Sequence, residues 1–553
     1  MQPSDPAYAS PVAMIDLGSR SGTHQPDRRQ RAAIRHRAMK KLGCLAALSA
    51  LIIPNASVTG RSSLPPAPQS IAALHAALRA PNARCTQIIA SYIKRALRLD
   101  GKLHALIEIA PEAMAEAVRI DATPMATRRQ LPLACVPLLV KDNIDVAGFA
   151  TTGGSAVLTG NIASTDSAAV ARLKRAGAIV IAKTNMSEFA LDFKGRSSLD
   201  GQTSSPYAVS ESAGGSSSGN AAALAAGLGL IALGTDTSGS ARVPAALAGT
   251  TGLRPTFGTI PLDGVMGLSP SQDVIGPMCL DPLDCATVLR VLSPKTPEDA
   301  QTLRGLRVGV LRAFITEPRQ VAALDKALQS LRTAGAHVSD THLRDELVLT
   351  GTIEAPGKGA KFASRSVFDF PDVMDHYLPT RSDAPTDAAQ LLKALQGSSA
   401  KGQSTARVVE QVSSFMARRA GKASDPRYEA NGSFRDRFVR ERLDEAFACY
   451  GSAPCFDILV YPSVQGLYAL AQTGPETAGT HRFAAYSGRP ALAFPLGTAM
   501  TPVGPRPVSL EILGREGDDL RLLAIASTWQ RLAGKPRIVD CDTPTGAVCL
   551  SLP

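Results

Sequence analysis

Leu228-Gly229-Leu230-Ile231-Ala232-Leu233-Gly234-Thr235-Asp236-Thr237-Ser238-Gly239-Ser240 is an apolar run that gives way to a loop of glycines and hydroxyls, and a helix-forming stretch from Arg242 through Ala248 follows it. The run Leu228–Leu233 has the length and branching of a buried strand. Strand, loop and helix in that order predict an α/β protein. In such folds the turn at the carboxyl end of a buried strand is where reactive groups are placed. Its N–H groups lack intrahelical partners and can hold a developing oxyanion, an effect worth about 3 kcal/mol per donor. Ser240 stands at that turn and is the candidate nucleophile.

The same alternation recurs outward from this point. Leu133–Val140, Ala178–Ala182, Leu306–Leu311, a segment near Val338, Ile458–Tyr461 and Ala491–Pro495 read as strands. Ser167–Arg175, closed by Gly177, and Val321–Ala334, capped by Gly335, read as helices, as does the stretch around Leu520–Leu532. Ile71–Asp121 carries apolar residues at helical spacing and is predicted as two or three amphipathic helices. The fold class is therefore α/β, a single large mixed sheet with helices on both faces. Residues 345–450 are more polar and mostly helical, with a soft Gly-Ser stretch at Gly397–Ser404, and suit a variable cover over the substrate. No internal repeat interrupts the chain, so residues 61–553 are expected to form one domain with a helical insertion.

Charge and cysteines bound the setting. Of the +11 net charge, residues 1–60 hold eight Lys/Arg against three Asp, and the remaining excess forms no basic stripe, which argues against a nucleic-acid partner. Within that leader, Met39-Lys40-Lys41 precedes the apolar run Leu42–Ile53 and then Pro54-Asn55, the plan of a secretory signal peptide. A 12-residue run is too short to cross a bilayer, so stable membrane insertion is not expected. A periplasmic or secreted location is expected, or a cytoplasmic one if the leader is not functional, and in an oxidising compartment Cys449 with Cys455 and Cys541 with Cys549 are near enough in sequence to pair, the alternative being free or buried thiols. No Cys/His spacing resembles a metal site, and no cofactor is implied.

A second Gly/Ser segment, Gly214-Gly215-Ser216-Ser217-Ser218-Gly219-Asn220, stands 24 residues before Ser240, counted from Ser216. Ser217 or Ser218 would serve as a helix cap, but three serines between paired glycines exceed that need. A serine nucleophile also requires a base, and no histidine lies in a catalytic motif. Lys141 ends the apolar strand Pro137–Val140, where burial would disfavour its ammonium form and bring its pKa toward neutrality.

These pieces together resemble the amidase signature hydrolases. The resemblance spans most of residues 70–535: Val136-Pro137-Leu138-Leu139-Val140-Lys141-Asp142-Asn143, Gly153-Gly154-Ser155, Lys183-Thr184-Asn185-Met186-Ser187-Glu188-Phe189, the two loops, Gly252-Leu253-Arg254-Pro255-Thr256, Ser271-Gln272-Asp273-Val274-Ile275-Gly276-Pro277-Met278 and Gly514-Arg515. It implies that Lys141 is the base, that Ser216 is a bridging serine after a cis peptide from Gly215, and that Ser240 is the nucleophile of an acyl-enzyme mechanism. It places the oxyanion hole at the N–H groups of Thr237, Ser238, Gly239 and Ser240, with Ser217, Asp236 and Arg242 in support. Departures from the family pattern are Ser238 where a glycine is usual, Asn220 for a small residue, and Ser205-Pro206 for Asn-Pro. A positive φ at Ser238 would strain the loop.

The implied substrate is a small-molecule or peptide amide, and Gly201-Gln202-Thr203, Pro206-Tyr207 and Ser271-Gln272-Asp273 look most like bacterial peptide amidase. Three other readings compete: a Gly-x-Ser-x-Gly elbow with Ser217 as nucleophile, an amidotransferase component that supplies ammonia, and an inactive binding protein of the same fold. The elbow needs a strand before Ser217, which Tyr207–Ala213 does not offer.

Overall fold

The computed structural model describes residues 68–294, 303–380, 384–398, 403–448, 455–502 and 504–534. The basic leader with its signal-like run, Cys449, Cys541 and Cys549 lie outside the described residues. The described residues belong to one compact unit within Asn55–Pro553.

Eleven strands pair into one sheet. From edge to edge they are Leu106–Ile109, Ile179–Thr184, Pro137–Lys141, Ile231–Asp236, Val274–Cys279, Thr251–Arg254, Ala491–Thr501, Gly504–Leu513, Ile458–Tyr461, Arg307–Val310 and His337–Asp340. Pro137–Lys141 is parallel to both of its neighbours, as is Arg307–Val310. The strands between these two parallel groups, and the Leu106–Ile109 edge, pair antiparallel. The sheet is thus the mixed α/β sheet that the sequence predicts.

Side-chain alternation shows how its two faces are covered. Adjacent residues on a strand point to opposite sides. Ala493 clusters with Val243, Ala246 and Leu247 of the Arg242–Ala248 helix, whereas the Phe494 ring meets Trp529 of the Asp519–Ala533 helix edge-on at 5.7 Å. These two helices therefore lie on opposite faces. Strands Pro137–Lys141, Ile179–Thr184 and Ile231–Asp236 are buried along their whole length, as strands covered on both sides must be.

The helical segment predicted at 345–450 includes Ser366–Tyr377, Ala388–Gln396, Gln403–Ala420 and Arg435–Phe447. Phe370, Met374, Leu391 and Phe415 from it share a core with Met186, Phe189, Met266 and Leu268. It is thus packed against the loops that follow the strands.

Several elements differ from the sequence reading. The strand read as Leu228–Leu233 spans Ile231–Asp236, so Gly234, Thr235 and Asp236 are strand rather than loop. Val274–Cys279 and Gly504–Leu513 were not legible as strands, because Pro277, Pro505 and Pro507 cannot donate ladder bonds and argue against pairing. The Leu106–Ile109 strand hides within a helical stretch. The helix after the first Gly/Ser loop begins at Ser218. Gly219, in its first turn, lies so close to the backbone oxygens of Ala105 and Asn185 that a Cβ would collide with them.

Two disulfides are present among the described residues, Cys85–Cys135 and Cys279–Cys285, with Cα separations of 5.6 and 5.7 Å. Cys455 is also disulfide-bonded. The sequence reading did not anticipate the first two pairs: 50 residues separate Cys85 from Cys135, and only the fold brings the start of the Cys85–Leu103 helix beside the Pro137–Lys141 strand.

Candidate active site

Lys141 is the last residue of its strand and is fully buried. Its Nζ lies 2.8 Å from Ser216 Oγ and 2.8 Å from Thr235 Oγ1. Burial lowers its pKa to about 7, against the opposing pull of the Asp236 and Asp273 carboxylates. An amine that is half neutral near pH 7 can accept a proton, which an ordinary lysine cannot.

The strand end is anchored by motifs that are far apart in sequence. Asp142 Oδ2 accepts from the N–H groups of Thr152 and Gly154, each at 3.2 Å. Lys183, buried on the neighbouring strand, donates to Ile144 O at 2.7 Å and stands 3.4 Å from Asp142 Oδ1. Asn143 Nδ2 donates to Thr235 Oγ1 at 3.1 Å and to Met266 O at 3.0 Å.

Ser216 follows a cis peptide from Gly215 and is fully buried. Its carbonyl accepts from Ser187 N at 3.1 Å. The next residue ties the two serine loops together, since Ser217 N donates to Ser240 O at 3.1 Å. Neither neighbouring serine caps the helix through its hydroxyl: Ser217 Oγ donates to Thr235 O at 3.3 Å and Ser218 Oγ to Thr203 Oγ1 at 3.1 Å. Tyr207–Ala213 contains no strand, so the elbow geometry that Ser217 would need is missing.

Ser240 is buried just before the Arg242–Ala248 helix. Asp236 shapes its loop, with Oδ1 accepting from Gly239 N at 2.7 Å and Oδ2 from Ala241 N at 3.2 Å. This corrects the expected donor set. The Gly239 N–H is committed to Asp236, and the N–H groups of Thr237, Ser238 and Ser240 are those left without an acceptor among the described residues. The positive φ of the loop falls on Gly239, at 123°, and not on Ser238, so the serine in place of the usual glycine costs the backbone nothing. The other departures are also accommodated: Asn220 Oδ1 accepts from Thr184 Oγ1 at 2.5 Å, and Ser205 Oγ from Tyr207 N at 3.2 Å.

Beneath the loop lies a closed charge cluster. Arg242 pairs with Asp236 at 3.1 Å and with Glu511, and donates to His481 O at 2.9 Å. Arg254 reaches Asp236 Oδ1 at 3.1 Å and Gln272 O at 2.8 Å. Tyr461 OH and Ser463 Oγ donate to Glu511 at 2.9 and 2.7 Å. Burial would raise the Asp236 carboxyl, but Arg242 and Arg254 outweigh it and hold the group well below the usual carboxylate range. Removing one member strands the others: Arg242→Met is expected to lose about 3–5 kcal/mol of stability, because a buried carboxylate loses its partner. Urea unfolding measures this, and a loss under about 1 kcal/mol would show the cluster to be dispensable.

Two further residues had no signal in the sequence. The Thr235 hydroxyl looked like one more loop hydroxyl until the strand brought it to Lys141. His481 is buried against Gly239, with its ring edge-on to Phe193 at 5.3 Å. Burial, then Arg482 and Arg242, keep its imidazole well below the usual histidine range and hence neutral.

Residues 87–523 match the family model described as Amidase, which covers most of the chain. The chain belongs to the amidase signature family. Among solved members, peptide amidase from Stenotrophomonas maltophilia is 29% identical with a TM-score of 0.71, covering 87% of this chain and 100% of that one. Among curated members, the A subunit of glutamyl-tRNA(Gln) amidotransferase from Deinococcus radiodurans is 36% identical over 291 residues, covering 50% of this chain and 60% of its own length. Its counterpart from Thermus thermophilus is 29% identical over 486 residues, covering 82% of this chain and 94% of its own length. The chain thus spans little more than half the length of the first curated relatives it matches. No helix among the described residues is long and apolar enough to cross a membrane.

Proposed function

We propose that this protein hydrolyses a carboxamide C–N bond through an acyl-enzyme, with Ser240 as nucleophile, Ser216 as proton bridge and Lys141 as base. The observation that carries this is the fully buried Lys141 amine 2.8 Å from Ser216 Oγ, with its pKa lowered to about 7. In the neutral amine, one N–H donates to Thr235 Oγ1, which also accepts from Asn143 Nδ2 and so has both lone pairs occupied. That leaves the nitrogen lone pair for the Ser216 hydroxyl. As Ser240 Oγ attacks the carbonyl, its proton passes to Ser216 and the Ser216 proton to Lys141. The oxyanion meets the loop N–H groups of Thr237, Ser238 and Ser240. The proton then returns along the same path to the departing nitrogen, and a water repeats the attack to free Ser240.

A peptide amide or amino-acid amide is the substrate class we favour. Its support is the likeness to peptide amidase over that enzyme's full length. The amidotransferase reading draws on the likeness to the glutamyl-tRNA(Gln) amidotransferase components, but an amidase that acts alone needs no added protein to turn over amides. A panel of amino-acid amides, C-terminal peptide amides, aryl amides and fatty amides tests this directly. Glutaminase activity only with added partner proteins would favour the amidotransferase, and failure of Ser240 to react with a fluorophosphonate would favour an inactive scaffold. We also propose export. The signal-like leader and the Cys85–Cys135 and Cys279–Cys285 bonds support it, since disulfides persist in oxidising compartments. Finding the intact leader on cytoplasmic protein would refute it.

The pH dependence has a definite sign. The base works unprotonated, so kcat/KM is expected to rise through an apparent pKa of about 7 and to level off above it. A limb near the ordinary lysine value, about 10, would mean that Lys141 is not the titrating base.

A further inference from the structure

The oxyanion loop is gripped from outside by a turn that belongs to neither serine loop. Thr237 Oγ1 donates to Asp273 Oδ1 at 2.6 Å, and Thr237 O accepts from Gln272 Nε2 at 3.3 Å. The first residue of the loop is therefore held by both its side chain and its carbonyl. The turn is itself closed: Gln272 N and Asp273 N donate to Ser269 O at 3.0 and 2.9 Å, and Asp273 Oδ2 accepts from the N–H groups of Leu268 and Ser269 at 2.7 and 2.8 Å. Its other side is bonded to the helical segment. Gln272 Oε1 accepts from Arg365 N at 2.9 Å and from Arg435 Nη1 at 3.3 Å, while Ser269 Oγ donates to Asp369 Oδ2 at 2.6 Å. Gln272, Asp273, Ser269, Arg435 and Asp369 are all buried, so water does not compete for these bonds.

We propose that the Ser269–Asp273 turn is a positioning element for catalysis, in which Asp273 and Gln272 fix the aim of the Thr237 and Ser238 N–H groups and the helical segment, through Arg365, Arg435 and Asp369, fixes the turn. This deepens the amidase reading and rests on it. Asp273 holds the Thr237 side chain, and the Thr237 carbonyl held by Gln272 shares one rigid peptide plane with the Ser238 N–H, so loss of either grip lets these neighbouring donors swing while leaving them chemically present. An oxyanion donor acts by being aimed before the reaction, and a displacement of about 1 Å removes much of its effect. The same chain of bonds couples whatever the helical segment encloses to the electrostatics at the reacting carbonyl.

The test is the second-order rate constant for fluorophosphonate labelling of Ser240, measured per labelled site, in wild type, Thr237→Val, Thr237→Ser and Gln272→Ala. Thr237→Val keeps the shape and the backbone N–H but removes the hydroxyl. We expect labelling about 10- to 100-fold slower for Thr237→Val, about 10-fold slower for Gln272→Ala, and within about 3-fold of wild type for Thr237→Ser, which restores the bond. A peptide aldehyde should lose affinity in the same order. A purely structural role would lower the fraction of protein that labels and leave the rate constant per site unchanged, and that result overturns the proposal. Should Thr237→Val fail to fold, the Gln272→Ala rate constant decides alone. If wild type does not label, the amidase reading fails rather than this one.

Discussion

Ser240→Ala is expected to lower kcat on any amide that the wild type hydrolyses by about 10⁵-fold or more, with little change in folding stability. The physical ground is the loss of the atom that bonds to the carbonyl. Ser216 cannot replace it, because its hydroxyl faces Lys141 at 2.8 Å and its carbonyl is bonded to Ser187 N. A methyl group at position 240 keeps the loop intact, since Asp236 holds that loop through Gly239 N and Ala241 N and not through the serine side chain. The comparison to make is kcat, fluorophosphonate labelling and thermal unfolding on one preparation. Residual turnover within about 100-fold of wild type would move the nucleophile elsewhere in the loops.

Lys141→Ala is expected to be nearly as severe, lowering kcat/KM by about 10⁴-fold, because both proton transfers run through the amine. The direction follows from burial. In the wild type the desolvated amine is neutral over much of the working pH range, whereas in the variant no other group within the described hydrogen bonds of Ser216 Oγ can take its proton. The variant should also lose the pH limb near 7, and its small remaining rate should rise with hydroxide. An unimpaired Lys141→Ala enzyme would refute the relay. Stability should change in the opposite sense to activity: between about pH 10 and pH 7 the unfolded chain holds a lysine proton that the folded chain lacks, so the buried lysine costs free energy that grows as pH falls through that window and is fully present below about 7, and removing it relieves that cost.

The stretch from Leu228 to Ala248 already joined an apolar strand, a hydroxyl loop and a helix, and the strand before Lys141 was apolar enough to imply burial. These are local properties, set by side-chain hydrophobicity and turn chemistry over 5 to 20 residues, and they are written in consecutive letters. Pro277 in the Val274–Cys279 strand and Pro505 and Pro507 in the Gly504–Leu513 strand show the limit: their composition argues against pairing, and only neighbours on the sheet make them strands.

By itself, then, the sequence determined the α/β class and pointed to the helical segment between residues 345 and 450 and to Lys141, Ser216 and Ser240 as the candidate catalytic residues, through motifs in a definite order along the chain. Only the tertiary structure decided that the Gly239 N–H is spent on Asp236, that Thr235 and Asn143 orient the lysine, that Gln272 and Asp273 grip Thr237, and that Cys85 meets Cys135. The reason is one of range. Apart from the local Asp236–Gly239 bond, each of those contacts depends on distances of about 2 to 3 Å between groups that the chain separates by 35 to 94 residues, and such distances are fixed by sheet register and packing, which no local pattern encodes.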